Sequence, residues 1–106
     1  QNTEFEYSYF DGELRFAKIK NKSRRKRLGI YSMESVAAIA PAGDRSVYKY
    51  ENDKNLAYKN LTSGDPEAKV YELIAKGEKG LVRYEFEPDD EMLNEVMVKY
   101  PRSVVR

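Results

Sequence analysis

The chain has no cysteine and no histidine. The first absence excludes disulfides and thiolate metal sites, and it fits a reducing compartment. The second removes the commonest general base and the commonest metal ligand near neutral pH, so the usual hydrolase triads and zinc sites are not available. Also missing are an apolar run approaching the ~20 residues of a membrane-spanning helix and a charged start followed by an apolar stretch, the mark of a signal peptide. The first residue is Gln1 rather than Met, and strand-like alternation begins almost at once with Phe5. A piece excised or processed from a longer protein is expected.

What the chain does have is enough apolar material for one modest core. It is 106 residues long, 41% hydrophobic and 35% charged, too apolar for disorder and too polar for a bilayer interior. One soluble domain over residues 1–106 is the expectation, with no internal repeat, low-complexity segment or dividing linker.

Residues 4–20 form two alternating runs around Asp11-Gly12, a dipeptide that tolerates the positive φ angles of a tight hairpin turn. A two-residue loop places Tyr9 opposite Leu14 and Tyr7 opposite Phe16. Phe5, Tyr7, Tyr9, Leu14 and Phe16 then share one side, and Glu4, Glu6 and Arg15 the other. Lys18 falls on the apolar side of that register while Ile19 does not. Either a bulge near Ala17 or a strand running past the core accounts for this.

Residues 21–26 read as a polar connection, followed by a pair of short strands at 28–31 and 36–40 that ends at Pro41-Ala42-Gly43-Asp44. Within 45–67, strands are expected at 47–50 and 56–61, with Asn52-Asp53 and Ser63-Gly64-Asp65-Pro66 as breakers. Residues 70–75 and 81–87 form a hairpin around Lys76-Gly77-Glu78-Lys79-Gly80, with Tyr71 and Leu73 matching Val82, Tyr84 and Phe86 across it. Pro88 suits a first helical turn, and Asp89, Asp90 and Glu91 complement the positive end of the dipole. Met92, Leu93, Val96, Met97 and Tyr100 recur at helical spacing before Pro101 stops the helix. Tyr71, Leu73, Val82, Tyr84, Phe86, Leu93, Val96 and Met97 are expected to share the core.

This order of elements resembles the pleckstrin-homology-like fold. The resemblance implies a mostly β (α+β) domain, a bent antiparallel sheet or partial barrel of about seven strands closed by a C-terminal amphipathic helix. Phe5-Glu6-Tyr7 with Asp11-Gly12-Glu13-Leu14, Arg24-Arg25-Lys26-Arg27, Phe86-Glu87-Pro88 and Tyr100-Pro101-Arg102 are similar to a family of uncharacterised small bacterial membrane proteins. In that family a hydrophobic N-terminal portion precedes a soluble C-terminal domain of unknown function, which would hold this domain on the cytoplasmic face of a membrane-anchored parent. The family brings no catalytic residues to transfer.

Arg15, Lys18, Lys20, Lys22, Arg24, Arg25, Lys26 and Arg27 put eight cations into thirteen residues with no acid between Arg15 and Arg27. The formal charge of the whole chain is +1, so the remainder carries about −7 and the molecule is strongly polarised. Three readings fit: a solvated, solubilising loop, a contact with phospholipid headgroups, and a contact with nucleic acid or an acidic protein. In many pleckstrin-homology domains the first hairpin loop supplies basic residues to an inositide. Here that loop is the acidic, minimal Asp11-Gly12, which favours general attraction to charge over a shaped headgroup pocket.

Thirteen aromatics, nine of them tyrosine, are read as core rather than as stacking platforms, because Glu4 and Glu6 alternate with Phe5, Tyr7 and Tyr9 and would repel phosphate. Asp89, Asp90 and Glu91 are read as a helix start rather than a cation site. Gly77 and Gly80 are turn residues, since a phosphate-cradling loop would lead into a helix. The expectation is a non-catalytic binding or scaffolding module at a bacterial membrane surface, with no cofactor or metal. A protein or an anionic lipid surface is its partner, met through Lys20, Lys22, Arg24, Arg25, Lys26 and Arg27 exposed on one connection. A small nucleic-acid-binding domain using residues 18–27 is the alternative.

Overall fold

In the computed structural model, which describes residues 2–106, Asp11 and Gly12 both take positive φ, 51° and 79°, and join β1 (Thr3–Phe10) to β2 (Glu13–Lys20). Tyr7 lies opposite Phe16 and Tyr9 opposite Leu14, as the turn dictates, and this ladder continues without a break to Thr3 opposite Lys20. Asn21 and Lys22 then turn the chain again with φ of 53° and 64°. The connection is only Asn21-Lys22-Ser23, because β3 starts at Arg24 and runs to Ser32. Arg24, Arg25, Lys26 and Arg27, expected on a connection, are instead strand residues held by pairing to β2.

A bulge lies in that second ladder. Phe16 faces Gly29 and Ala17 faces Arg27, so Leu28 is the extra residue of β3. Lys18 and Lys20 remain on the side of Leu14 and Phe16, for β2 runs beyond the end of the core.

A 3₁₀ turn, Met33–Ser35, carries the chain into the second layer, with Met33 buried and its N–H donating to the Gly12 carbonyl at 2.8 Å. β4 (Val36–Pro41) therefore pairs not with β3 but with β6 (Tyr71–Gly77) in the other sheet. Residues 47–50 are likewise not a strand. Asp44 accepts hydrogen bonds from the Ser46 N–H and hydroxyl and tightens the turn, Val47 is fully buried, and Tyr48–Glu51 form the single turn α1. β5 (Ala57–Asn60) adds to β7 (Gly80–Phe86) in parallel. The sheet orders are β1-β2-β3 and β4-β6-β7-β5, so the second sheet is mixed rather than wholly antiparallel and no barrel closes.

β6 and β7 pair Tyr71 with Phe86, Leu73 with Tyr84 and Ala75 with Val82, across a turn of Glu78-Lys79 that is tighter than the sequence suggested. Phe16 stacks on Tyr84 at 4.7 Å and meets Phe86 edge-on at 5.5 Å, which joins the two sheets. The helix α2 (Asp90–Lys99) closes the core with Met92, Leu93 and Val96 buried. Of the expected core, Tyr71, Leu73, Tyr84, Phe86, Leu93 and Val96 are buried, while Val82 and Met97 pack half-buried at its rim. Pro88 sits just before the helix rather than within it, and Asp89 is the cap, its Oδ1 accepting from the Met92 N–H at 2.8 Å. After the helix, Val104 lies beside Ile39 and the Val105 N–H donates to the Ile39 carbonyl at 2.8 Å.

Candidate anion-binding face

The β1-β2-β3 register sorts the cations. Lys18 lies opposite Lys26, and Lys20 opposite Arg24. All four belong to the face that carries Leu14 and Phe16 further along β2, and β1 contributes only Phe5 and Thr3 beside them. Arg15, Arg25 and Arg27 belong to the reverse face, together with Glu4, Glu6 and Glu13. There Arg25 pairs with Glu6 at 2.5 Å and Arg15 with Glu13 at 2.9 Å.

Like charges directly opposed across a ladder destabilise it. Two such pairs stand side by side here, with no acid among the described residues making a salt bridge to any of the four. A shallow cavity of about 420 Å³ is lined by these four together with Arg25, which borders it from the reverse face. The lysine and arginine stems let the charges shift over this surface while Lys18 and Lys20 stay half-buried against the sheet. The arrangement suits an anion.

The six residues singled out from sequence are thus not on one connection. Lys20 ends β2, Lys22 occupies the turn, and Arg24 to Arg27 alternate between faces, so Arg24 and Lys26 join Lys20 whereas Arg27 points away. Lys18, left out of that set, belongs to it. The hairpin register from Asp11-Gly12, followed to its end, was the signal that places it there.

Other charged groups have local duties. Asp89 caps α2, and Asp90 pairs with Arg106 at 2.6 Å. Among the described residues no group of three or more Asp or Glu is arranged to hold a metal ion. On the outer side of the second sheet, Glu72 is fully buried, directly opposite Glu85, and both its carboxylate oxygens accept from Arg83 at 2.9 Å. Tyr58 donates to Glu85, and the Arg83 guanidinium lies over the Tyr58 ring, 4.2 Å from its centroid. Burial, with hydrogen bonds shared with Glu85 and Glu51, pushes the Glu72 carboxyl up to about 8, against the pull of Arg83. Burial also opposes ionisation of Glu85, but hydrogen bonds from Glu72 and Tyr58 and the charge of Arg83 outweigh it and hold that carboxyl below its ordinary range.

Over its whole length, residues 1–106, the chain matches the family model of the bacterial PH-like domain DUF6106. The chain belongs to this family. No curated protein and no solved structure matches it. Seven strands in two sheets with one short C-terminal helix are the architecture of this PH-like domain. Its first hairpin loop, Asp11-Gly12, lies at the opposite end of β1 and β2 from Lys20 and Arg24. Of the large exposed aromatic residues, Phe10 is at that far end, Tyr48 is in α1 and Tyr58 in β5, so Phe5, half-buried opposite Lys18, is the aromatic residue that the register places beside the cations. No helix among the described residues is long and apolar enough to cross a membrane.

Proposed function

We propose that this PH-like domain is a non-catalytic binding module that seats the far end of the β1-β2-β3 sheet on an anionic membrane surface, held at the cytoplasmic face by a membrane-anchored parent protein. The observation that carries the reading is the set Lys18, Lys20, Arg24 and Lys26 on one face, in two directly opposed pairs that no acid among the described residues salt-bridges. A solubilising surface gains nothing from opposing like charges. A surface that meets phosphate groups recovers about 1 kcal/mol per cation near anionic lipid. The lining is a spread of point charges rather than a pocket, which suits general attraction to headgroups.

The test is cosedimentation with vesicles containing phosphatidylserine and with neutral vesicles. Lys18→Glu/Lys20→Glu/Lys26→Glu should abolish adsorption to anionic vesicles, whereas Arg15→Glu/Arg27→Glu, on the reverse face, should retain most of it. Raising salt toward 1 M shortens the Debye length from about 10 Å to about 3 Å and should release the wild type. Equal binding by the two variants would refute this orientation, and tighter binding to single-stranded DNA than to lipid would refute the membrane partner.

A further inference from the structure

Each sheet ends in a strand with one strand neighbour among the described residues, β3 in the first and β5 in the second, and residues of both strands line the same cleft of about 730 Å³. We propose that this cleft receives an extended, acidic segment of a partner protein, which pairs as an added strand. The site is separate from the cationic face assigned to lipid.

Three features carry the inference. A strand with one neighbour directs half of its N–H and C=O groups outward, and such an edge templates further pairing. β5 is short and exposed throughout, with β7 as its only strand partner among the described residues. The part of β3 that lines the cleft, Gly29 to Ser32, is of the same four-residue length as β5, or about 13 Å of strand.

The second feature is Gly29. A Cβ at this position would stand 2.6 Å from the Tyr84 hydroxyl, which itself is hydrogen-bonded to Tyr31 at 2.9 Å. The Tyr84 hydroxyl and the Tyr31 ring take the space of a side chain here, so this position of the β3 edge carries none. Glycine within a strand commonly marks the close approach of another backbone.

The third is the chemistry of the lining. Tyr31, Ala57 and Val82 give apolar wall, while Lys59, Lys76 and Lys79 outnumber the single acid Glu78. Lysines beside an edge repel basic and neutral strands but admit an acidic one, so the same charges that prevent promiscuous pairing select the partner. A segment alternating aliphatic and acidic residues places one set against the wall and the other toward the lysines.

The probe is a pool of eight-residue peptides alternating Asp or Glu with Val, Ile or Leu, screened against the intact chain without vesicles, so the lipid reading plays no part in the outcome. Saturable binding is expected for acidic members and not for a matching Lys/Arg pool. For the best member, N-methylation of alternate amides should weaken binding by about ten-fold or more, since two or more backbone hydrogen bonds are lost. Lys59→Glu/Lys79→Glu should weaken it similarly; both lysines are exposed, and an unchanged thermal transition would confirm folding. Hydrogen exchange should slow in both Gly29–Ser32 and Ala57–Asn60. Absence of binding by every acidic member at millimolar concentration would overturn the proposal. So would equal binding of the basic pool or of the N-methylated peptide, or protection elsewhere than the two edges.

Discussion

Glu72 shows how far a single residue departs from what strand alternation announces. With Tyr71 and Leu73 on the core side, Glu72 is assigned to solvent, yet it is fully buried, for the segment from Val47 to Leu56 lies over this face of the sheet. Val47 lies against Ala40 and Ile74, with Ala38, Tyr50 and Leu56 around them. The covering segment is polar and irregular, so no periodicity marks it as a lid over a sheet. Its consequence is a dependence of stability on pH. Between the ordinary glutamate value of 4.5 and about 8, folded Glu72 retains a proton that the unfolded chain has released, so stability falls as pH rises through this window. Glu85 acts in the opposite sense: its depressed value adds stability above the ordinary range that is lost as pH falls. Glu72→Gln, which stays neutral and can still donate to Glu85, should flatten the decline between about pH 4.5 and 8 in urea midpoints measured across pH. A decline as steep as that of the wild type would place the proton on another group.

Among the elements, legibility followed how much apolar pattern each one carried. The Asp11-Gly12 hairpin, β6, β7 and α2 have turn residues and apolar positions at the right period, and they formed with the expected register. β3 begins with four consecutive cations, which display no alternation, and is imposed by pairing to β2. For the same reason the candidate face was visible as charge but not as geometry: composition gave its sign, and only the continuation of the register past Phe16 assigned Lys18 and Lys26 to it. Val47 and Tyr50 give residues 47–50 the apolar content of a strand, but one buried residue and a tight Asp44 turn favour the helical turn α1. At the other end of the chain, α2 rests on a single side-chain cap. Asp89→Ala should cost about 1 kcal/mol and lower the urea midpoint without changing the slope of the transition. An unchanged midpoint would mean that core packing alone holds the first turn.

On the scale of the whole molecule, two sheets that share no ladder are joined through aromatic contacts and closed by one helix. Phe86 meets Tyr7 edge-on at 5.3 Å as well as Phe16, and Leu93 enters the same core from α2. Phe86→Ala and Leu93→Ala should each cost roughly 2–5 kcal/mol, a large part of the 5–15 kcal/mol that stabilises a typical domain. Both should shift chemical denaturation well toward lower denaturant; a shift within error for either would remove that residue from the core.

The bulge at Leu28 makes the charged face a matter of parity. With that extra residue, Arg24 and Lys26 face the same way as Lys18 and Lys20; without it, Lys18 would oppose Arg27, Lys20 would oppose Arg25, and the other two would turn toward Glu4 and Glu6. Because four cations follow one another, either phase supplies two of them to each side. A slip that would turn an alternating amphipathic strand inside out leaves the sum of charge on this face unchanged and alters only its ratio of guanidinium to ammonium. An uninterrupted basic run is therefore an error-tolerant code: evolution can insert or delete a residue in β3 and exchange one pair of cations for the other without erasing the signal they carry.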